Sequence, residues 1–128
     1  MKCMVVCGSR NPRGQTARAA AELVQGVRAG GGDAEVVYLT ERAIERCRQC
    51  DDDGWGLCRR EGRCVIEDDF AGIVEAIREA DAVVFATPVY FSDLSESLRA
   101  FLDRLRRISR FADGAAGVAA KPAVGLCV

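Results

Sequence analysis

Residues 3–16 read Cys3-Met4-Val5-Val6-Cys7-Gly8-Ser9-Arg10-Asn11-Pro12-Arg13-Gly14-Gln15-Thr16. An unbroken apolar run ends at Gly8, and a polar loop rich in Gly, Ser, Asn and Pro follows over residues 8–15. A short continuous apolar run suits a strand buried on both faces. From Thr16 onward Ala20, Leu23, Val24 and Val27 recur at helical spacing, and Gly30-Gly31-Gly32 ends the pattern. Strand, polar loop, helix is the first half of a βαβ unit.

The rest of the chain repeats this alternation. Ala34 to Leu39 reads as a second strand. Asp68-Asp69 offers an N-cap to a helix marked by Phe70, Ile73, Val74 and Ile77. Ala82 to Ala86 reads as a third strand that ends at Thr87-Pro88. A helix from about Ser95 carries Leu98, Phe101, Leu102, Leu105 and Ile108 on one face, and Pro122 to Val128 reads as a fourth strand. The fold expected is a doubly wound, three-layer α/β/α parallel sheet. Ligands in such sheets sit at the carboxyl ends of the strands. An apolar strand at Val128 would be a bare sheet edge, which proteins normally cover, so a fifth strand and a last helix are the expected continuation.

Bulk properties narrow the function. One domain over residues 1–128 is expected from the length, and a domain of that size folds without staples. Hydrophobic residues make up 49%, charged residues 29%, and the formal net charge is -1. No nucleic acid and no membrane is expected as a partner on that balance. No apolar run has transmembrane length or the layout of a signal peptide, so a cytoplasmic setting is expected. Histidine is absent. That removes the commonest general base, the Ser-His and Cys-His nucleophile pairs and every His-containing zinc site.

The loop after the first strand is built for a phosphate. Helix N-termini present unpaired N–H groups and partial positive charge. Ser9, Asn11, Gln15 and Thr16 add donors, Arg10 adds a charge, and Gly14 keeps the turn open. The Walker pattern fails because Gln15 follows Gly14. The dinucleotide fingerprint fails because Ser9-Arg10 follows Gly8. Glu41, beyond the second strand, is a weak match to a ribose-binding acid, and a plain polar turn is the alternative. The loop after the third strand, Thr87-Pro88-Val89-Tyr90-Phe91-Ser92-Asp93-Leu94-Ser95, offers flat apolar surface for an aromatic cofactor, or else core or interface residues.

Together these segments resemble the NADPH-dependent FMN reductase and iron–sulfur flavoprotein branch of the flavodoxin-like superfamily. The resemblance lies in Gly-Ser-x-Arg-x-x-Gly-Gln-Thr after a strand, in Gly62 to Phe70, and in Thr87-Pro88-Val89-Tyr90-Phe91-Ser92 before Leu98-Arg99-Ala100-Phe101-Leu102-Asp103-Arg104. It implies a five-stranded sheet and non-covalent FMN. Ser9, Arg10, Asn11, Gly14, Gln15 and Thr16 would hold the phosphate, and Pro88, Val89, Tyr90, Phe91 and Ser92 would lie against the isoalloxazine. It implies NAD(P)H as co-substrate, a small-molecule acceptor such as a quinone, nitroaromatic, free flavin or metal ion, and a homodimer or homotetramer. Catalysis would need no acid or base from the protein, which agrees with the missing histidine. An electron carrier without its own nicotinamide site and a metal-stabilised non-catalytic module are the alternatives.

Seven cysteines divide into two groups. Cys3, Cys7 and Cys127 fall in apolar strands and read as buried. Cys47, Cys50, Cys58 and Cys64 cluster in a polar insertion at about 45–66. The iron–sulfur flavoproteins resembled carry a compact four-cysteine motif in this region. Cys47-x-x-Cys50 fits it, while the gap to Cys58 is longer and contains Asp51-Asp52-Asp53. A [4Fe–4S] cluster, tetrahedral zinc and metal-free thiols under a lid packed by Trp55 all stay open. Arg59, Arg60 and Arg63 would lower a nearby thiol's pKa or be merely solvated. Arg99, Arg104, Arg106, Arg107 and Arg110 read as a solvated helix face partly paired with Glu96 and Asp103.

Overall fold

The computed structural model describes residues 1–109, 118 and 120–128. Four parallel strands form one sheet: β1 (Lys2–Cys7), β2 (Asp33–Tyr38), β3 (Ala82–Thr87) and β4 (Ala123–Cys127). Their order in the sheet is β2-β1-β3-β4. The connections carry α1 (Gln15–Ala29), a 3₁₀ turn at Leu39–Glu41, the short α2 (Leu57–Arg60), α3 (Phe70–Glu79) and α4 (Glu96–Ser109). The expected flavodoxin-like α/β order is present, with every predicted strand and long helix in place. The 3₁₀ turn and α2 lie in segments with no apolar period, so pattern reading passes over them.

Strand geometry explains the two cores. Side chains alternate across a sheet, so Met4 and Val6 face one side while Cys3, Val5 and Cys7 face the other. The first side packs with Val37, Val83 and the inner faces of α3 and α4, including Phe70, Ile73, Ile77, Phe101 and Leu105. The second packs with Ala20 and Val24 of α1 and with Val84 and Ala86. Cys3 and Cys7 are buried as expected, and burial pushes both thiols up from their ordinary pKa. Cys127 is exposed, contrary to expectation. It sits on β4, an edge strand whose residues are mostly open to solvent.

The last helix also departs from the sequence reading. Arg104 is not solvated; its side chain is 1% exposed. It grips the Asp68 carboxylate through both terminal nitrogens, at 2.7 and 3.0 Å, and donates to the Glu45 carbonyl at 2.9 Å. Its guanidinium carbon lies 4.1 Å from the Phe70 ring centroid. Glu96 pairs with Arg10, and Asp103 with Arg106. Arg99 pairs with Asp93. Arg110 lies outside the described residues. Of the two candidate caps, Asp68 accepts the Phe70 N–H at 3.1 Å, whereas Asp69 turns away and accepts the Ala43 N–H at 2.7 Å.

Gly8 sets how closely α4 approaches β1. A Cβ there would lie 2.3 Å from Ser95 Oγ and 2.9 Å from the Leu98 Cβ. The Gly8 N–H donates to the Ala86 carbonyl at 2.8 Å, and the Ser97 hydroxyl donates to the Gly8 carbonyl at 3.2 Å. The ends of β1 and β3 and the start of α4 are thus pinned at one glycine.

Two outcomes are expected. Gly8→Ala should cost about 1–3 kcal/mol, because neither a buried serine nor the α4 backbone gives way freely; a Tm equal to the parent's would contradict this contact. Asp68 is the second case. Burial raises its pKa, but Arg104 and the N–H groups of Glu45 and Phe70 outweigh burial, and the net shift is downward. A lowered folded pKa contributes stability above the unfolded carboxylate range, near pH 3.9, and that stability is lost as pH falls through the folded value. Asp68→Asn should therefore lose about 3–5 kcal/mol at pH 7, by stranding a buried guanidinium, and should lose less further stability on acidification than the parent. Urea melts from pH 7 to pH 3 giving parallel curves would refute it.

Candidate functional site

The sheet order places the switch point between β1 and β3, where the connections leave in opposite directions. The crevice above that point is where a doubly wound sheet binds its ligand. Both loops singled out from sequence open there, one after Cys7 and one after Thr87.

The first loop is a preformed turn. Ser9 is buried, and its Oγ accepts the Asn11 N–H at 3.2 Å. The Asn11 carbonyl accepts the Gly14 N–H at 3.0 Å, and its side-chain oxygen accepts the Arg13 N–H at 3.0 Å. These bonds hold the turn from within. Thr40, just beyond β2, braces it by donating to the Ser9 carbonyl at 3.3 Å. Gly14 is the N-cap of α1 and supplies no side-chain cap. The first-turn N–H groups therefore have no side-chain acceptor and are available to an anion. α4 differs: Ser95 Oγ accepts the Leu98 N–H at 3.3 Å. Thr16 is buried beneath the turn, while Arg10, Asn11 and Gln15 are exposed around it. Ser9, Arg10, Asn11, Gly14, Gln15 and Thr16 thus occupy one cradle.

The second loop carries exposed apolar surface. Thr87 Oγ1 accepts the Ser95 N–H at 3.0 Å and donates to the Pro88 carbonyl at 2.8 Å, which fixes the loop's base. Tyr90 and Asp93 exchange two backbone bonds of 2.9 Å each across a tight tip. The tip residues Phe91 and Ser92 have φ of 48° and 61°. Left-handed backbone at a bulky aromatic costs of order 1 kcal/mol or more and clusters at functional sites. Its effect is to thrust Phe91 outward, with Val89 and Tyr90 also exposed. These rings are not core. The Arg10–Glu96 ion pair links this half of the crevice to the first loop.

The four clustered cysteines meet in a second place. Cys47, Cys50, Cys58 and Cys64 line one cavity of about 20 Å³, together with Arg104, Arg107 and Ile108 of α4. Gly56 lets the wall close, since a Cβ there would lie 3.0 Å from the Cys50 Cβ. Among the described residues, no three His, Cys, Asp or Glu side chains converge as a single bound ion requires. Tetrahedral zinc would hold its sulfurs only about 3.8 Å apart, given Zn–S bonds near 2.3 Å. The acidic stretch is neutralised locally: Asp51 pairs with Arg60 at 2.9 Å and Asp53 with Arg59 at 3.0 Å. Arg63 pairs with Glu61 at 2.6 Å. Trp55 packs as expected, with the guanidinium carbons of Arg59 and Arg107 5.7 and 4.6 Å from its ring centroid. Sequence reading missed Arg104 and Arg107 as part of this site. Arg104 left a signal, since it interrupts the apolar stripe between Phe101 and Ile108.

The model of the family described as NADPH-dependent FMN reductase matches residues 1–128. An iron–sulfur flavoprotein of Methanocaldococcus jannaschii is 31% identical over 106 residues, covering 83% of this chain and 52% of that protein. A Bacillus subtilis protein named as an NAD(P)H-dependent FMN-containing oxidoreductase, YwqN, is 32% identical over 107 residues, covering 81% and 51%. The solved structure of RosB with bound 8-demethyl-8-formylriboflavin-5'-phosphate superposes with a TM-score of 0.78 at 25% identity, over 99% of this chain and 51% of that one. The chain spans about half the length of these curated relatives. The match along residues 1–128 places this chain in the family described as NADPH-dependent FMN reductase.

Proposed function

We propose that the protein is an FMN-dependent NAD(P)H oxidoreductase that delivers reducing equivalents to a small acceptor such as a quinone, a nitroaromatic, free flavin or a metal ion. The observation that carries this reading is the uncapped N-terminus of α1 above the self-bonded Ser9–Gly14 turn, beside a rigid apolar loop at the same sheet edge. The residues fit FMN: a phosphate would take the N–H groups of Gln15 and Thr16 and the side chains of Ser9, Arg10 and Asn11. Pro88, Val89, Tyr90, Phe91 and Ser92 would flank the ring system. When bound, FMN supplies the hydride acceptor and donor.

The protein's own contribution is binding, orientation and exclusion of water. Arg10 exchanges Glu96 for the phosphate, and the strained tip presents Phe91 as a wall or as contact for a second subunit. That exposed tip favours a homodimer or homotetramer with the flavin near the interface. Seven free cysteines favour a reducing, cytoplasmic setting. Among the described residues, no helix is long and apolar enough to cross a membrane.

A second reading rests on the cysteine cavity. Four thiols on its walls, and two guanidinium Nε–H groups there without acceptors (Arg104 and Arg107), fit an anionic group. An iron–sulfur cluster would supply a one-electron store there, but the thiols as placed do not fit one: among the described residues no three of them converge. The present space holds about one water.

Two measurements test these readings. Anaerobically purified protein should show flavin bands on addition of FMN that bleach with NADPH; bands that persist under NADPH would leave an electron carrier without a nicotinamide site. Thr16→Leu and Ser9→Val should each weaken FMN binding at least tenfold, about 1.4 kcal/mol. Unchanged Kd in both variants would remove the phosphate from this loop.

A further inference from the structure

Among the described residues, Glu96 is the one carboxylate that forms an ion pair with the Ser9–Gly14 turn, through Arg10. The two residues stand 86 positions apart in sequence. Glu96 has an arginine at the i+3 position of its own helix, Arg99, but Arg99 is held by Asp93 of the second loop. The Glu96 carboxylate is left to cross to the first loop. Its neighbours fix where it starts. The Ser97 hydroxyl donates to the Gly8 carbonyl at 3.2 Å, and Ser95 Oγ accepts the Leu98 N–H at 3.3 Å. The first turn of α4 is thus tied to the end of β1 and capped by its own serine, whereas the first turn of α1 has no side-chain cap.

The Arg10 and Glu96 side chains are 61% and 79% exposed. An ion pair that open to water adds little to folding stability, so a competing anion displaces it at small cost. The Arg104–Asp68 pair, at 1% and 7% exposure, is the opposite case. From this arrangement we infer that Glu96 is a built-in competitor of the phosphate cradle: it holds Arg10 while the cradle is empty and thereby sets how tightly a phosphorylated flavin binds. The inference rests on the phosphate reading of the first loop given above. Two effects act with the same sign. A phosphomonoester must first break the Arg10–Glu96 pair. The released carboxylate then stands beside a group that carries about 1.5 to 2 negative charges at pH 7. Both effects weaken the hold on the phosphate end, and neither touches the ring system. Glu96 is therefore a positioning residue that acts through Arg10.

The experiment is titration of the flavin-free full chain with FMN and, in parallel, with riboflavin, which has the same ring system and no phosphate. Flavin fluorescence gives the Kd. Glu96→Gln keeps the size and hydrogen-bonding capacity of the side chain and removes its charge. It should lower the Kd for FMN about threefold and leave that for riboflavin unchanged. In an Arg10→Gln background the same substitution should lose most of its effect, since no cation is left to compete for. An FMN Kd that is unchanged or raised in Glu96→Gln, an equal gain for riboflavin, or a gain undiminished without Arg10 would overturn the role of Glu96. A parent protein that still prefers FMN to riboflavin would then keep the phosphate reading standing. A parent protein that binds FMN no more tightly than riboflavin would overturn both.

Discussion

The Asp68 carboxylate is the constraint on which the functional half of this fold depends. It takes four donors: two from Arg104, one from the N–H of Glu45 and one from the N–H of Phe70. Those donors belong to three segments that are far apart in sequence: the start of the cysteine loop, the first turn of α3 and the middle of α4. Desolvating a carboxylate and a guanidinium is expensive, and only a fully hydrogen-bonded pair offsets it. Here the carboxylate is satisfied completely, and Arg104 adds the Glu45 carbonyl and the face of Phe70. The pair therefore acts less as a source of stability than as a specification. Any other placement of the loop against α4 strands a charge.

The two loops proposed to hold FMN depend on a different constraint, the order β2-β1-β3-β4. With β1 and β3 adjacent, the loop after each opens on one crevice. Gly8 then fixes the distance, because only a residue without a side chain lets Ser95 and Leu98 approach β1 so closely. Backbone bonds inside the Ser9–Gly14 turn consume acceptors that would otherwise satisfy the α1 terminus. Order of strands, one glycine and one self-bonded turn thus leave a set of N–H groups at the carboxyl edge of the sheet, beside a loop with exposed rings. That is what a phosphate joined to a flat apolar ring system requires.

Most of this was legible because it is local. Cys3 to Cys7, Ala34 to Leu39 and Ala82 to Ala86 announce buried parallel strands by being apolar throughout, and Leu98, Phe101, Leu105 and Ile108 announce the inner face of α4. What escaped is long-range. Arg104 reads as one of five arginines on a polar face until Asp68, 36 residues away, is seen against it. Glu96 reads as the partner of an arginine on its own helix and instead pairs with Arg10 of the first loop. Cys127 shares the apolar pattern of Cys3 and Cys7, yet a pattern does not say which strand lies at the edge. The four clustered cysteines were legible as a group, but not that two arginines of α4 stand behind them.

The two halves of the molecule meet in α4, and this couples binding chemistry to fold. The N-terminal end of the helix faces the crevice through Ser95, Ser97 and Glu96; its C-terminal half faces the cysteines through Arg104 and Arg107. A rigid helix held by Phe101, Leu105 and Ile108 in the core keeps the two sites in fixed register. The charges follow the same division. Acids and arginines within the cysteine loop cancel, so the loop's own sequence leaves the sign of its cavity undecided. On the helix side, Arg104 is paired with Asp68 and Arg107 donates to the Gly54 carbonyl.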